Sequence, residues 1–173
     1  VFFAQVAKYS DVQDMCSTAK LTSEDLAHHN EWQTKLGGPM VPVGIWIDGT
    51  PYNFDRTDSL ESVCLSLPGN EANQTLRVPM TAVTKRHLYT EQSFDEILEV
   101  VAWSFRCLAE GRYPATRHDG SPFMSAASDS RRSRSAGKEL GIKGLLVELR
   151  GDWVMCKKTL RFAGWQEKHG CCH

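Results

Sequence analysis

Two aspartates stand at the ends of apolar runs, and they constrain the fold more than any other feature of the sequence. Asp48 closes Val43-Gly-Ile-Trp-Ile-Asp, and Asp152 follows Leu145-Leu-Val-Glu-Leu-Arg-Gly. Val43, Ile45 and Ile47 are β-branched and alternate with Gly44 and Trp46, as a core strand requires, and Gly49-Thr-Pro51 is expected to end that strand. Residues 144–150 read as a second run of the same kind. Each aspartate therefore falls on or just past the C-terminal end of a buried strand.

The chain between them supplies the rest of a sheet and its cover. Residues 59–67 carry Leu60, Val63, Leu65 and Leu67 before a Pro68-Gly-Asn70 turn. Residues 76–83 form a third strand; Pro79 inside it has no N–H for a ladder and places the strand at an edge or a bulge. Over 93–110, Phe94, Ile97, Leu98, Val101, Phe105 and Leu108 recur at helical spacing. Ser93 is expected as N-cap with Glu96 completing a capping box, and Gly111 as the C-cap. Trp103 and Phe105 lie on different sides of this helix, with Phe105 on the side of the sheet. A last helix is expected over 152–162, beginning at Asp152.

The order strand-Asp, strand, strand, helix, strand-Asp, helix predicts an α/β domain. Its mixed sheet has an antiparallel first three strands and the fourth beside the first, with helices packed on it. At 173 residues, 41% hydrophobic, the chain can bury one sizeable core. Residues 1–40 read as a helical or irregular lead-in, with Thr22 and Ser23 as caps of a helix over 22–36 that Gly37-Gly-Pro39 ends. His28 and His29 fall on that helix; adjacent helical positions point about 100° apart, which disfavours a shared metal. Residues 112–138 are rich in Ser, Arg, Gly and Pro without apolar period and read as an inserted loop, mobile around Ser128-Asp-Ser-Arg-Arg-Ser-Arg.

A net charge of −1 conceals an asymmetry: residues 1–111 hold eight Lys and Arg against fifteen Asp and Glu, and residues 112–173 hold twelve against six. Arg131, Arg132, Arg134, Lys157 and Lys158 form the basic clusters and are the candidate nucleic-acid contacts; an unevenly charged solvated surface is the alternative. No apolar run approaches the roughly 18 residues of a spanning helix, and no membrane association is expected. Cys64, Cys107 and Cys156 sit in apolar patterns, where a reduced cysteine behaves as a small hydrophobe, so an intracellular compartment is expected. The absence of Met at Val1 and the ending His169-Gly-Cys-Cys-His173 read as cut ends of a longer protein. Cys172, with Cys171, His169 and His173, has zinc-ligand chemistry, although adjacent cysteines rarely serve one ion without strain, and a truncated motif is the other reading.

Phosphodiester cleavage needs an attacking oxygen activated and a leaving oxygen stabilised, and two divalent cations about 4 Å apart do both. Mg²⁺ prefers a few carboxylates plus water and phosphate, so strand-end aspartates are suitable ligands. Capping of the last helix by Asp152 and a turn role for Asp48 in Asp-Gly are the structural alternatives.

Two segments carry a resemblance. Gly151-Asp-Trp-Val-Met-Cys-Lys-Lys-Thr-Leu-Arg-Phe-Ala-Gly-Trp-Gln-Glu-Lys-His-Gly-Cys-Cys resembles the second-aspartate segment of CACTA- and Plavaka-like DNA transposases. Val41-Pro-Val-Gly-Ile-Trp-Ile-Asp-Gly-Thr is similar to their first-aspartate strand. The resemblance implies an RNase H-like fold, incomplete at the C-terminus, with an acidic triad whose first two members match Asp48 and Asp152. It also implies Mg²⁺ or Mn²⁺ as cofactor, DNA as partner and, in a eukaryote, a nuclear location. A third acid has no candidate in this chain; Asp55, Asp58 and Glu148 read as surface or strand residues. The expectation is the front part of a DNA cleavage and strand-transfer domain, with little or no activity alone. A non-catalytic nucleic-acid or protein interaction module on the same fold is the alternative.

Overall fold

The structure is a computed structural model that describes residues 21–55, 57–68, 77–124 and 129–161. Helix α1 (Ser23–Leu36) precedes strand β1 (Val41–Pro51), β2 (Ser59–Ser66) and β3 (Val78–Thr84). A 3-10 turn (Lys85–His87) leads to α2 (Thr90–Glu110); then come the short α3 (Ser130–Ser135), β4 (Gly144–Gly151) and α4 (Trp153–Thr159). One four-stranded sheet has the order β3-β2-β1-β4. β1–β2 and β2–β3 are antiparallel, and β4 runs parallel to β1. This is the mixed α/β sheet expected from the element order.

The strands end where their chemistry lets them. β1 runs to Pro51 because its ladder with β2 continues to Pro51↔Ser59, so Gly49-Thr-Pro51 does not break it; the hairpin turns after Pro51. β3 is the edge strand, and its pairing with β2 shifts register between Val63 and Cys64, where Cys64 faces Pro79, a residue with no N–H to offer.

α2 starts three residues before the expected Ser93. Tyr89 occupies the N-cap position, and the Ser93 hydroxyl accepts the Tyr89 N–H at 2.9 Å, so Ser93 satisfies the helix start from inside the first turn and forms no capping box with Glu96. At the other end Gly111 is left-handed (φ 70°) and its N–H bonds to Cys107 and Leu108 carbonyls, as the C-cap rule requires. α1 is capped by the Thr22 hydroxyl, which accepts the Asp25 N–H, and ends at Gly37.

The core lies on the face of the sheet where Val41, Val43, Ile45 and Ile47 project. Val63 and Leu65 join them from β2, Val101, Phe105 and Leu108 from α2, and Met155 from α4. Phe94, Ile97 and Leu98 pack at its margin. Each fully buried aliphatic or aromatic side chain contributes about 1.5–3 kcal/mol of transfer free energy, which fixes α2 on this face. α1 lies by β4; His29 is buried and its Nε2–H donates to the Met40 carbonyl at 2.8 Å, while His28 meets the Trp32 ring edge-on. The two histidines thus serve packing. Among the described residues Cys64, Cys107 and Cys156 are thiols, and burial pushes the Cys107 thiol up.

Candidate functional site

The parallel ladder sets Ile47 beside Gly151, so the next residues, Asp48 and Asp152, fall at one level on neighbouring strands, whose axes are about 4.8 Å apart; Asp152 follows the end of β4, whereas Asp48, expected at a strand end, lies inside β1 and pairs with Ser62. Their faces follow from alternation. Ile45 and Ile47 enter the core, so Gly44, Trp46 and Asp48 face the other way. On β4, the side chain of Glu148 lies against Gly44, whereas Gly151 faces Met155 in the core. Asp152 therefore follows on the Asp48 side. Gly151 makes this approach feasible: a Cβ there would collide with Met155 and come within 2.9 Å of the Ile47 carbonyl.

The two carboxylates differ in what they already hold. Asp152 is the N-cap of α4, with extended backbone (φ −72°, ψ 167°), and its Oδ1 accepts the Met155 N–H at 2.6 Å. Its Oδ2 has no such bond. Asp48 contributes its carbonyl to the Ser62 hydroxyl at 3.2 Å, while its half-buried carboxylate makes no hydrogen bond or ion pair among the described residues.

The remaining acids near this end are engaged locally. The Asp55 carboxylate accepts the N–H and hydroxyl of Thr57. Asp58 accepts the Tyr52 hydroxyl at 2.6 Å with Arg86 at 3.8 Å; the Tyr52 hydrogen bond holds the Asp58 carboxyl below its ordinary value and holds the Tyr52 phenol above its own. Glu148 pairs with Gly44, well down the strand from Asp152, and is bonded to Arg150 at 2.8 Å. Glu61 is the acid that sequence reading passed over. It sits opposite Gly49, one position beyond Asp48, and accepts the Ser59 hydroxyl at 2.7 Å, but alternation puts it on the other face. No cluster of three or more His, Cys, Asp or Glu is placed to hold a metal among the described residues.

The basic residues divide. Lys157 is exposed on α4, the helix that Asp152 caps, and Lys158 follows it. Arg131, Arg132 and Arg134 lie on α3, in a segment that departs from α2 and returns to β4. That return is beside Val41, which pairs with Gly144. The base of the segment that carries them thus lies at the opposite end of the sheet from the aspartates. The described parts of the inserted loop over 112–138 are tied together by hydrogen bonds, and Ser130–Ser135 within it is helical. Tyr113 and Lys138 are joined through backbone (2.8 Å), as are Gly137 and Tyr113 (3.1 Å) and Leu140 and Gly111 (2.8 Å). Asp129, 3% exposed, accepts the Met124 N–H at 3.1 Å and both Nε–H (3.1 Å) and Nη2–H of Arg117. The signal available in the sequence was an acid just before the Ser130–Ser135 run. Cys172, Cys171, His169 and His173 lie outside the described residues, so the zinc expectation does too.

No helix among the described residues is long and apolar enough to cross a membrane. Compared with protein-family models, curated proteins and solved structures, the chain has no match.

Proposed function

We propose that this chain is the front portion of an RNase H-like, transposase-type core in which Asp48 and Asp152 hold Mg²⁺ or Mn²⁺ and act on phosphodiester bonds of DNA. The observation that carries this reading is the parallel β1–β4 register, Ile47 beside Gly151, which sets the residues that follow them, Asp48 and Asp152, at one level of the sheet. The order β3-β2-β1-β4, with only β4 parallel, is compatible with such a core. A DNA substrate would make the protein intracellular and, in a eukaryote, nuclear.

The donor chemistry suits a hard ion that keeps water and phosphate as further ligands. A bound Mg²⁺ or Mn²⁺ supplies the charge that activates an attacking oxygen and stabilises a leaving one. The chain's own contribution is positional. Asp48 presents a carboxylate without competing partners, and Asp152 is held by the Met155 N–H so that its second oxygen has a fixed direction. Lys157 adds a cation on the same helix. Two carboxylates hold such an ion weakly, and DNA cleavage by this chain alone is expected to be slight.

The capping bond of Asp152, with the local engagement of Asp55, Asp58 and Glu148, favours the second reading: a non-catalytic nucleic-acid or protein interaction module of the same fold. Calorimetric titration of Mn²⁺ into wild type, Asp48→Asn and Asp152→Asn separates the two. Weak binding in the wild type, lost in both variants, supports the metal reading. Equal binding in all three shows that neither aspartate is a ligand and leaves the module.

A further inference from the structure

The arginine-bearing helix is held in place, and it stands away from the carboxylate pair. Its anchor is the buried Asp129, which gathers the Arg117 guanidinium and the Met124 N–H and has Arg132 Nη1 at 3.7 Å from its other oxygen. The base of the segment is closed by backbone hydrogen bonds between Tyr113 and Lys138 and by the Arg112–Glu139 bridge. His118 meets Trp103 on the outer side of α2, ring centroids 6.4 Å apart. On this support Arg131 and Arg134 are both exposed, three positions apart and hence on one helix face, and neither is ion-paired among the described residues. Residues 112–138 hold six Lys and Arg against two Asp, and one of those two is the buried anchor.

We propose that α3 is a fixed platform for the phosphates of duplex DNA, gripping it through Arg131 and Arg134 at the end of the sheet opposite Asp48 and Asp152, away from the bond to be cut. Arg131 and Arg134 offer charge to phosphate oxygens without any base-reading geometry, so the contact positions DNA and carries no sequence information. Single-stranded nucleic acid fits less well. Recognition of single strands relies on exposed aromatic faces for stacking, whereas among the described residues the exposed Tyr and Phe side chains, Tyr52, Phe54 and Tyr89, lie on the β1–β2 hairpin and before α2, at the sheet's other end. From Val41 to Asp48 the strand rises roughly 23 Å at about 3.3 Å per residue, which sets the scale of the separation.

The proposal rests on DNA being the partner but not on either metal ligand, so the two can fail separately. Fluorescence anisotropy with a labelled short duplex, without divalent metal and across a salt series, tests it on wild type and Arg131→Ala/Arg134→Ala. Loss of two phosphate contacts should weaken duplex binding by at least about tenfold at physiological salt and make the log–log salt slope shallower by about 1.8. Arg131→Lys/Arg134→Lys should recover most of the slope, and a single strand of equal length should bind more weakly than the duplex. A double alanine variant with wild-type melting temperature and unchanged affinity and slope would overturn the platform, leaving the Mn²⁺ titration untouched. Preference for the single strand would overturn it equally, as would absence of duplex binding by the wild type.

Discussion

Asp152 combines two demands on one side chain: it ends a strand beside Asp48 and it begins a helix. Asparagine caps helices about as well as aspartate, whereas alanine loses the cap at a cost of about 0.5–2 kcal/mol. Asp152→Asn should therefore melt close to wild type and Asp152→Ala should melt lower, while both lose whatever Mn²⁺ affinity the wild type has; thermal melts beside the titration check this. Asp129 is the other residue whose surroundings decide its behaviour. The Arg117 hydrogen bonds, then the Met124 N–H, hold its carboxyl below the ordinary aspartate value. A carboxylate so depressed contributes stability that is fully present above its unfolded value, about 3.9, and is lost as pH falls through its folded value. Arg117 and Arg132, the cations facing it, stay charged throughout. Below about pH 4 amide exchange in residues 129–138 should accelerate ahead of the sheet, and Asp129→Asn should remove that pH dependence. Exchange that tracks the sheet at every pH would show that the anchor does not hold this segment.

At the scale of elements, α2 shows periodicity and capping giving different grades of information. Val101, Phe105 and Leu108 repeat at helical spacing and are buried in the core cluster, where Leu108 lies against Gly144 of β4, while Trp103 turns outward to His118. Phe105→Ala should cost about 3–5 kcal/mol, as for other buried aromatics; a denaturation midpoint shift equivalent to under about 1 kcal/mol would place the packing face elsewhere. The junction of β4 and α4 is equally specific. Gly151→Ala would press a methyl into Met155 and toward the Ile47 carbonyl, and overpacking of this kind costs about 1–3 kcal/mol. Chemical denaturation measures it, and a neutral result would mean that β4 and α4 are less closely apposed below the aspartates. The helix start was harder to read, because Ser93 satisfies a donor from within the first turn, a role that shares its residue type with a true N-cap.

For the whole molecule, β1 is the element on which the rest depends. It pairs with β2 on one side and β4 on the other and contributes four core residues. Local opening follows exposure of backbone hydrogen bonds and sparse burial. Amides of β1 should thus exchange slowest and those of the edge strand β3, interrupted at Pro79, fastest among the strands; the reverse order would contradict the sheet. The same topology separates the two aspartates from the base of the arginine-bearing segment. β1 and β4 run parallel and deliver their aspartates together, while the connection from α2 to β4 must return to the start of β4 and takes its arginines with it.

The residues by themselves determined a good deal: alternation of Val43, Ile45 and Ile47 made a core strand, Pro79 made β3 an edge, Gly111 stopped α2, and the order of elements led to the mixed sheet. These are local rules, set by side-chain branching, missing donors and backbone freedom, and they act through a few neighbours in sequence. Tertiary structure alone decided the extent of β1 past Gly49, which the β2 ladder carries to Pro51. It also decided the hydrogen bonding of the described parts of 112–138, which lack apolar period and are tied by a buried Asp129–Arg117 pair and backbone bonds to Tyr113. The pairing of Ile47 with Gly151, far apart along the chain, belongs to the same class. Register between distant strands depends on which buried surfaces meet, and that sum over the whole core is not written in either strand alone.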